Sequence, residues 1–218
     1  CHIGSQINQT EPFVEALDHL IRLRQTLSEQ GIKIEHLDLG GGLGIRYADE
    51  EELDIASYAE AVSNKLSGLN IELLIEPGRY LVAESGLLLT RVEYLKPSHV
   101  PDQPNYAIVD AAMNDLIRPA LYQAYHQVRS VGRSTADSVR WDIVGPICES
   151  GDFLALQRDL ALSEDSLLAI LSTGAYGFVQ SSNYNTRPRS AEVLQRPFDG
   201  ISSALFASLA TSSRYNAI

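Results

Sequence analysis

Sulfur and lysine are scarce in this 218-residue chain. Two cysteines, Cys1 and Cys148, are too few for a disulfide framework or a zinc cluster, so a reducing cytoplasm is the expected setting. The lysines are Lys33, Lys65 and Lys96. A formal charge of -11 leaves no basic face to neutralise phosphates, so nucleic acid is not an expected partner. No apolar run approaches the roughly 20 residues that span a bilayer, so no membrane partner is expected. No signal-peptide pattern opens the chain, which starts Cys-His-Ile without a Met. What is present is ordinary globular composition, 44% apolar and 21% charged, enough for one large domain or two small ones.

Residue patterning then gives an order of elements. Residues 1–6 read as the end of a strand running into a loop. Glu11 and Pro12 open a helix in which Phe13, Leu17, Leu20, Ile21, Leu23 and Leu27 recur at helical spacing, and Gly31 stops it. A strand over 32–39 ends in the glycine run 40–44. A second amphipathic helix is expected over about 54–69, with Ile55, Tyr58, Ala59, Val62 and Leu66 on one face. A short apolar strand over 71–75, expected to be buried, runs into Glu76-Pro77-Gly78-Arg79. This alternation is the βα rhythm of a parallel sheet. After Gly86 the rhythm changes. A long β-rich run is expected over 87–95 and shorter strands over 106–109, 128–131, 139–144, 153–156 and 167–171, with a short helix inside 114–125, which suggests an antiparallel second domain. The expected domains are therefore 1–86 and 87–218.

Three strand-end motifs carry chemistry. Consecutive glycines let backbone N–H groups converge on an anion. The dinucleotide fingerprint fails here, because Ile45 stands where its third glycine belongs. No Gly-Lys-Ser/Thr follows, so the run is not a nucleoside-triphosphate loop. A single phosphate or a plain tight turn remains. His2 reads as an acid, a base, a flat ring against a ligand, or a structural residue, and Ser5 can donate to a phosphate oxygen. Glu76 and Arg79 lie where parallel α/β folds hold ligands, and equally where a surface ion pair would sit. Opposite Glu76, a cationic heterocyclic nitrogen at about 4 Å would gain roughly 4 kcal/mol at an effective dielectric of about 20. Downstream, Arg118 and Tyr122 are four apart, on one side of a helical turn, a pair suited to a carboxylate. Residues 145–152 form a turn-rich loop holding Cys148 and Glu149, and Tyr176 stands in a flexible Gly-Ala-Tyr-Gly loop.

Taken in order, His-Ile-Gly-Ser-Gln, Leu-Asp-Leu-Gly-Gly-Gly-Leu-Gly, Glu-Pro-Gly-Arg, Asn-Asp-Leu-Ile-Arg-Pro-Ala-Leu-Tyr, Gly-Pro-Ile-Cys-Glu-Ser-Gly-Asp and Gly-Ala-Tyr-Gly resemble the pyridoxal-phosphate-dependent diaminopimelate decarboxylases, from Cys1 to about residue 199. The resemblance implies the C-terminal part of a (β/α)8 barrel followed by a β-rich, Greek-key or sandwich-like domain, in a homodimer whose subunits complete each other's sites. His2 would stack on the pyridoxal 5'-phosphate ring. Ser5, Gly41, Gly42 and the Pro77-Gly78-Arg79 turn would hold its phosphate region. Glu76 would pair with the pyridine nitrogen, so that the ring accepts electrons as carbon dioxide leaves. Arg79, Arg118 and Tyr122 would bind the distal carboxylate of a diamino dicarboxylic acid, and Glu149 its distal ammonium. Cys148 would be the proton donor. Cys148 and Glu149 would come from the neighbouring subunit, and Tyr176 would contact the phosphate and the substrate. The implied reaction is conversion of meso-2,6-diaminopimelate to L-lysine and carbon dioxide. Related ornithine, arginine or carboxynorspermidine decarboxylases, a non-catalytic binding or regulatory relative, and an alanine-racemase-like enzyme are the alternatives.

Two departures from the family stand out. The lysine that anchors the cofactor is absent, since Lys33, Lys65 and Lys96 lie beside none of the motifs. The expectation is therefore a C-terminal portion that is active only with an N-terminal half. Residues 201–218 are rich in Ser and Ala with the single charge Arg214, where the family continues with a basic strand.

Overall fold

The computed structural model describes residues 1–132 and 135–194. They fall into two compact units, Cys1–Glu84 and a second that begins at Ser85. The expected end of the family resemblance near residue 199 and the Ser/Ala-rich tail lie outside the described residues. No helix among the described residues is long and apolar enough to cross a membrane.

The first unit alternates helix and strand: α1 (Glu11–Glu29), β1 (His36–Asp38), α2 (Ile55–Leu66), β2 (Glu72–Leu74) and α3 (Gly78–Val82). β1 and β2 pair in parallel, with Leu37 opposite Leu73. The apolar faces of α1 and α2 meet the strands in one core that contains Phe13, Leu17, Leu37, Leu39, Tyr58 and Val62. Phe13 and Tyr58 meet edge to face, with ring centres 5.2 Å apart. Asp54 caps α2, its carboxylate accepting from the N–H groups of Ala56 at 3.0 Å and Ser57 at 3.2 Å. The Ser57 hydroxyl is the foremost cause holding the Asp54 carboxyl below its usual range. The helix stops at Leu66, short of the expected 69, because Ser67 folds back on Asn64 and Gly68 turns left-handed at φ 77°.

Two expectations fail in this unit. β2 is not buried: Leu74 and Ile75 are 45% and 46% exposed. Its hydrogen-bonded neighbour among the described residues is β1 alone, so one strand edge stays open. Residues 1–6 are loop rather than the end of a strand, joined to the unit at Ile7 through a parallel bridge to Leu43.

The second unit contains β3 (Leu88–Lys96), β4 (Asn105–Val109), α4 (Arg118–Tyr122), β5 (Val128–Val131), β6 (Ser138–Val144), β7 (Phe153–Ala161) and β8 (Leu167–Ile170). They form one six-stranded sheet in the order β5-β8-β3-β4-β6-β7, not the two facing sheets of a sandwich. The edge strands β5 and β7 approach each other, so the sheet curls toward a barrel. It is mixed rather than antiparallel, because β4 and β6 run parallel, with Ala107 opposite Ile143. α4 and β5 lie between β4 and β6 in the chain and supply the crossover that a parallel pair needs. Val92, Val109, Leu116, Ile143, Leu154, Leu168 and Ile170 form the core of this sheet. β7 runs well past its expected end at 156. Gln157, Arg158 and Asp159 interrupt its apolar pattern, and the register shifts there against β6.

Candidate functional site

In the first unit three loops meet backbone to backbone. The Glu76 N–H donates to Gly40 O at 2.8 Å, and the Ile7 N–H donates to Gly42 O at 2.9 Å. A Cβ on Gly41 would lie 2.2 Å from Glu76 O, and one on Gly42, at φ +103°, would lie 2.2 Å from Gly4 O. A Cβ on Gly40 would reach 3.0 Å from His2 Cα. Only glycine permits approaches this close, so the run 40–44 fastens the His2–Ser5 loop and the Glu76–Arg79 turn to the end of β1. The N–H groups of Gly41 and Gly42 have no backbone acceptor among the described residues.

Arg79 lies in α3, which starts at Gly78 with Pro77 as its cap residue. Its Nη2 donates to Ser5 Oγ at 3.0 Å and its Nη1 to Tyr47 Oη at 2.7 Å, while the guanidinium stands 5.7 Å from the Tyr47 ring centre. Two anchors and a ring fix the planar group in one orientation. A cation, a hydroxyl and two backbone N–H groups beside one loop form a donor set that suits a phosphate monoester. Glu76, exposed two residues past the end of β2, adds a carboxylate three positions before Arg79 in the chain. His2 is exposed, and Lys33 and Lys65 are engaged elsewhere, with Glu35 and Asp18. Tyr47 carried no motif, and only the fold reveals that it orients Arg79.

The second unit holds the remaining candidates. Residues 145–152 are organised by the buried Asp152, whose carboxylate accepts from the Met113 N–H at 2.6 Å and the Ile147 N–H at 2.7 Å. Burial is the foremost influence on this carboxyl and raises its pKa, against the lowering by the two backbone donors. The loop so held presents Cys148 and Glu149 at the surface. The Tyr184 hydroxyl donates to Glu149 Oε2 at 3.1 Å, and that bond raises the phenol's pKa.

Arg118 opens α4 at 7% exposed, whereas Tyr122 closes it at 60%. The expected pair thus shares the single turn of α4 but differs in exposure. The helix is a single turn that ends in a left-handed Gln123 at φ 53°, and its last side chain is turned outward. Arg118 Nη1 donates to His126 Nε2 at 2.9 Å, and His126 Nδ1 donates to Leu171 O at 2.9 Å. Tyr176 holds a left-handed backbone at φ 61° and is 39% exposed, and a Cβ on its neighbour Gly177 would lie 2.3 Å from Thr173 O. Sequence reasoning missed His126 and Tyr184, and it placed Asp152 in the loop motif without its role as buried acceptor of the Met113 and Ile147 N–H groups.

The model of the pyridoxal-dependent decarboxylase C-terminal sheet domain matches residues 16–174. Among known proteins, the chain is similar to diaminopimelate decarboxylase of Pseudomonas aeruginosa, 59% identical over 194 residues, covering 89% of this chain and 46% of the relative. It is also similar to diaminopimelate decarboxylase of Vibrio cholerae, 50% identical over 195 residues with the same shares of each chain. Among solved structures it resembles diaminopimelate decarboxylase from Helicobacter pylori complexed with L-lysine, at TM-score 0.79 and 40% identity, covering 86% of this chain and 46% of that one. The enzyme from M. jannaschii matches at TM-score 0.80 and 37% identity, covering 87% and 44%. The chain thus spans about half the length of the relatives it matches. A family match across most of the chain, over a glycine-fastened site whose donors suit a phosphate, means that the chain belongs to the pyridoxal-dependent decarboxylases.

Proposed function

We propose that this chain forms part of a decarboxylase that converts meso-2,6-diaminopimelate to L-lysine and carbon dioxide, acting together with the half of the family's length that it does not span. The observation that carries the reading is the junction of Ser5, Gly41, Gly42, Glu76 and Arg79 on three loops that only glycines allow to meet. In this reading residues 1–86 belong to a (β/α)8 barrel that binds pyridoxal 5'-phosphate, and the described residues from 87 onward belong to the β-rich domain. The cofactor, when bound, draws off the electron pair left as carbon dioxide departs. Ser5, Gly41, Gly42 and the Pro77-Gly78-Arg79 turn hold its phosphate. His2 lies against its ring, and the Glu76 carboxylate keeps its ring nitrogen protonated.

The substrate carries charge at both ends and needs partners of both signs. Arg79, Arg118 and Tyr122 bind the distal carboxylate. Glu149, oriented by Tyr184, binds the distal ammonium. The Cys148 thiol, exposed on a loop fixed by Asp152, delivers a proton to the carbon that loses carbon dioxide. Tyr176 contacts phosphate and substrate. Two copies form a homodimer in the cytoplasm, each lending Cys148 and Glu149 to the other. Support for this substrate comes from the similarity to relatives named diaminopimelate decarboxylase at 59% and 50% identity. The test is to incubate the whole protein containing this chain with pyridoxal 5'-phosphate and meso-diaminopimelate. A bound-cofactor absorbance band and lysine release are expected. A cofactor band with putrescine or agmatine released instead, from ornithine or arginine, would reassign the substrate.

A further inference from the structure

Residues 181–190 run as a strap after the Tyr176 loop. Its middle is the turn Tyr184–Thr186, in which Asn185 and Thr186 both hold left-handed backbone, at φ 60° and 57°. A β-branched threonine in that region is strained and persists only where its surroundings impose it. The imposing contacts are on Arg187. Its Nε donates to Asn114 Oδ1 at 2.9 Å and its Nη2 to Asp110 O at 2.6 Å, with the buried Asp115 carboxylate 4.0 Å away. Asn114, 2% exposed, holds the strap with its other polar atoms as well. Its Nδ2 donates to Ser182 O at 3.3 Å, and its carbonyl accepts from the Ser182 N–H at 2.9 Å. Ser190 Oγ donates to Asp115 Oδ1 at 2.6 Å. The strap is therefore fastened on both sides of Tyr184 to residues 110–115. From between these fastenings the Tyr184 hydroxyl reaches Glu149 Oε2 at 3.1 Å, 35 positions back along the chain.

We infer that Arg187 is a positioning residue for recognition of the substrate's distal ammonium: clamped on Asn114, it fixes the turn that presents the Tyr184 hydroxyl to Glu149, and so sets the orientation of the Glu149 carboxylate. This inference rests on the proposed role of Glu149. Glu149 is exposed, and an exposed glutamate left to itself loses side-chain freedom when it meets a ligand. A donor held in place beforehand takes up part of that cost. A phenol is a neutral donor, so the carboxylate keeps its charge for the ammonium while its direction is set. Arg187 acts through Tyr184, its own fork being turned to Asn114 and Asp110 O.

The test is a double-mutant cycle in the whole protein. Y184F and R187M are each expected to raise KM for meso-diaminopimelate about tenfold while kcat stays within about threefold, the signature of lost binding rather than lost chemistry. Because both changes act through one hydroxyl, the double variant is expected to show the rise of about tenfold that each single change gives, rather than about a hundredfold. The inhibition constant of 2-aminopimelate, which keeps the distal carboxylate and lacks the distal ammonium, is expected to stay within about twofold in every variant. R187K keeps the stem and the cation but not the planar fork, and it takes the place of R187M in the cycle if R187M does not fold. Additive effects on KM would overturn the inference. So would an unchanged KM in the Arg187 variant, or equal weakening of diaminopimelate and 2-aminopimelate, which marks a merely structural role. E149Q tests the reading beneath it: a KM for meso-diaminopimelate unchanged in E149Q removes the ammonium role of Glu149 and the inference with it, a result distinct from the other three.

Discussion

Removing the Asp152 carboxylate should unfasten the loop that carries Cys148 and Glu149. The residue is 4% exposed, and its side chain accepts from Met113 N–H at 2.6 Å and Ile147 N–H at 2.7 Å. Its carbonyl also accepts from the Gly145 N–H at 3.0 Å, a bond that D152A leaves in place. Two donors left without acceptors, at about 1–3 kcal/mol each, would cost about 2–6 kcal/mol. Relief of a buried charge returns about 1–3 kcal/mol of that, leaving a net loss of about 1–3 kcal/mol. D152N keeps one acceptor oxygen and turns an NH2 group toward the other N–H, so its loss should be smaller but real. Urea unfolding followed by fluorescence reads the difference, since Trp141, the one tryptophan of this chain, is 6% exposed on β6 in the same unit. The pH dependence has a definite sign. Burial raises the folded-state pKa of Asp152 above its ordinary value of 3.8. The folded state then binds this proton more tightly than the unfolded state does. The contribution is fully present below the ordinary value and is lost as pH rises through the raised pKa. D152A should remove that component of the stability–pH curve. A stability within about 0.5 kcal/mol of the unmodified protein, as for an ordinary surface change, would refute the reasoning.

Other expectations follow from the same geometry. C148A should retain the cofactor absorbance band while kcat falls about 10²–10⁴-fold, the range for a lost general acid, and stopped-flow turnover with a parallel spectrum checks both. G42A forces a Cβ to 2.2 Å from Gly4 O at a left-handed φ of +103°, so the Ser5 loop must move; cofactor affinity, measured by equilibrium dialysis, should drop sharply. R79K exchanges a planar fork, held at 3.0 Å by Ser5 and 2.7 Å by Tyr47, for a point charge. It should weaken cofactor binding by about 1–3 kcal/mol in the same assay.

The sequence made local features plain and left long-range ones hidden. Helix starts were legible because their signals are adjacent residues: Pro12 at the opening of α1 and Asp54 with Ser57 at α2. The glycine run was legible as a phosphate loop or a tight turn, whereas its close backbone approach to Glu76 O and Gly4 O emerges only when the chain folds. The direction of β6 against β4 was not legible, because a short strand has the same pattern whichever way its neighbour runs. β2 was misread as buried because its apolar run fixes the strand but not how many neighbours cover it. Tyr47 and His126 were missed for one physical reason: a tyrosine and a histidine outside any motif gain a structural role only through partners 32 and 8 positions away. Asp152 stood in the loop motif, but the Met113 N–H that it holds, 39 positions away, did not. Cys148, Glu149 and Arg118 were singled out because their motifs are contiguous, whereas His126, the hydrogen-bond partner of Arg118, lies in no motif.

The proposed decarboxylase acts on a substrate with charges of both signs at its far end. Its most direct measurement is a competition: the whole protein, loaded with pyridoxal 5'-phosphate, offered equal meso-diaminopimelate, ornithine and arginine, with amines and carbon dioxide counted together. Lysine and carbon dioxide are expected in one-to-one ratio, with no putrescine or agmatine. Carbon dioxide released with either of those amines, and no lysine, would contradict it.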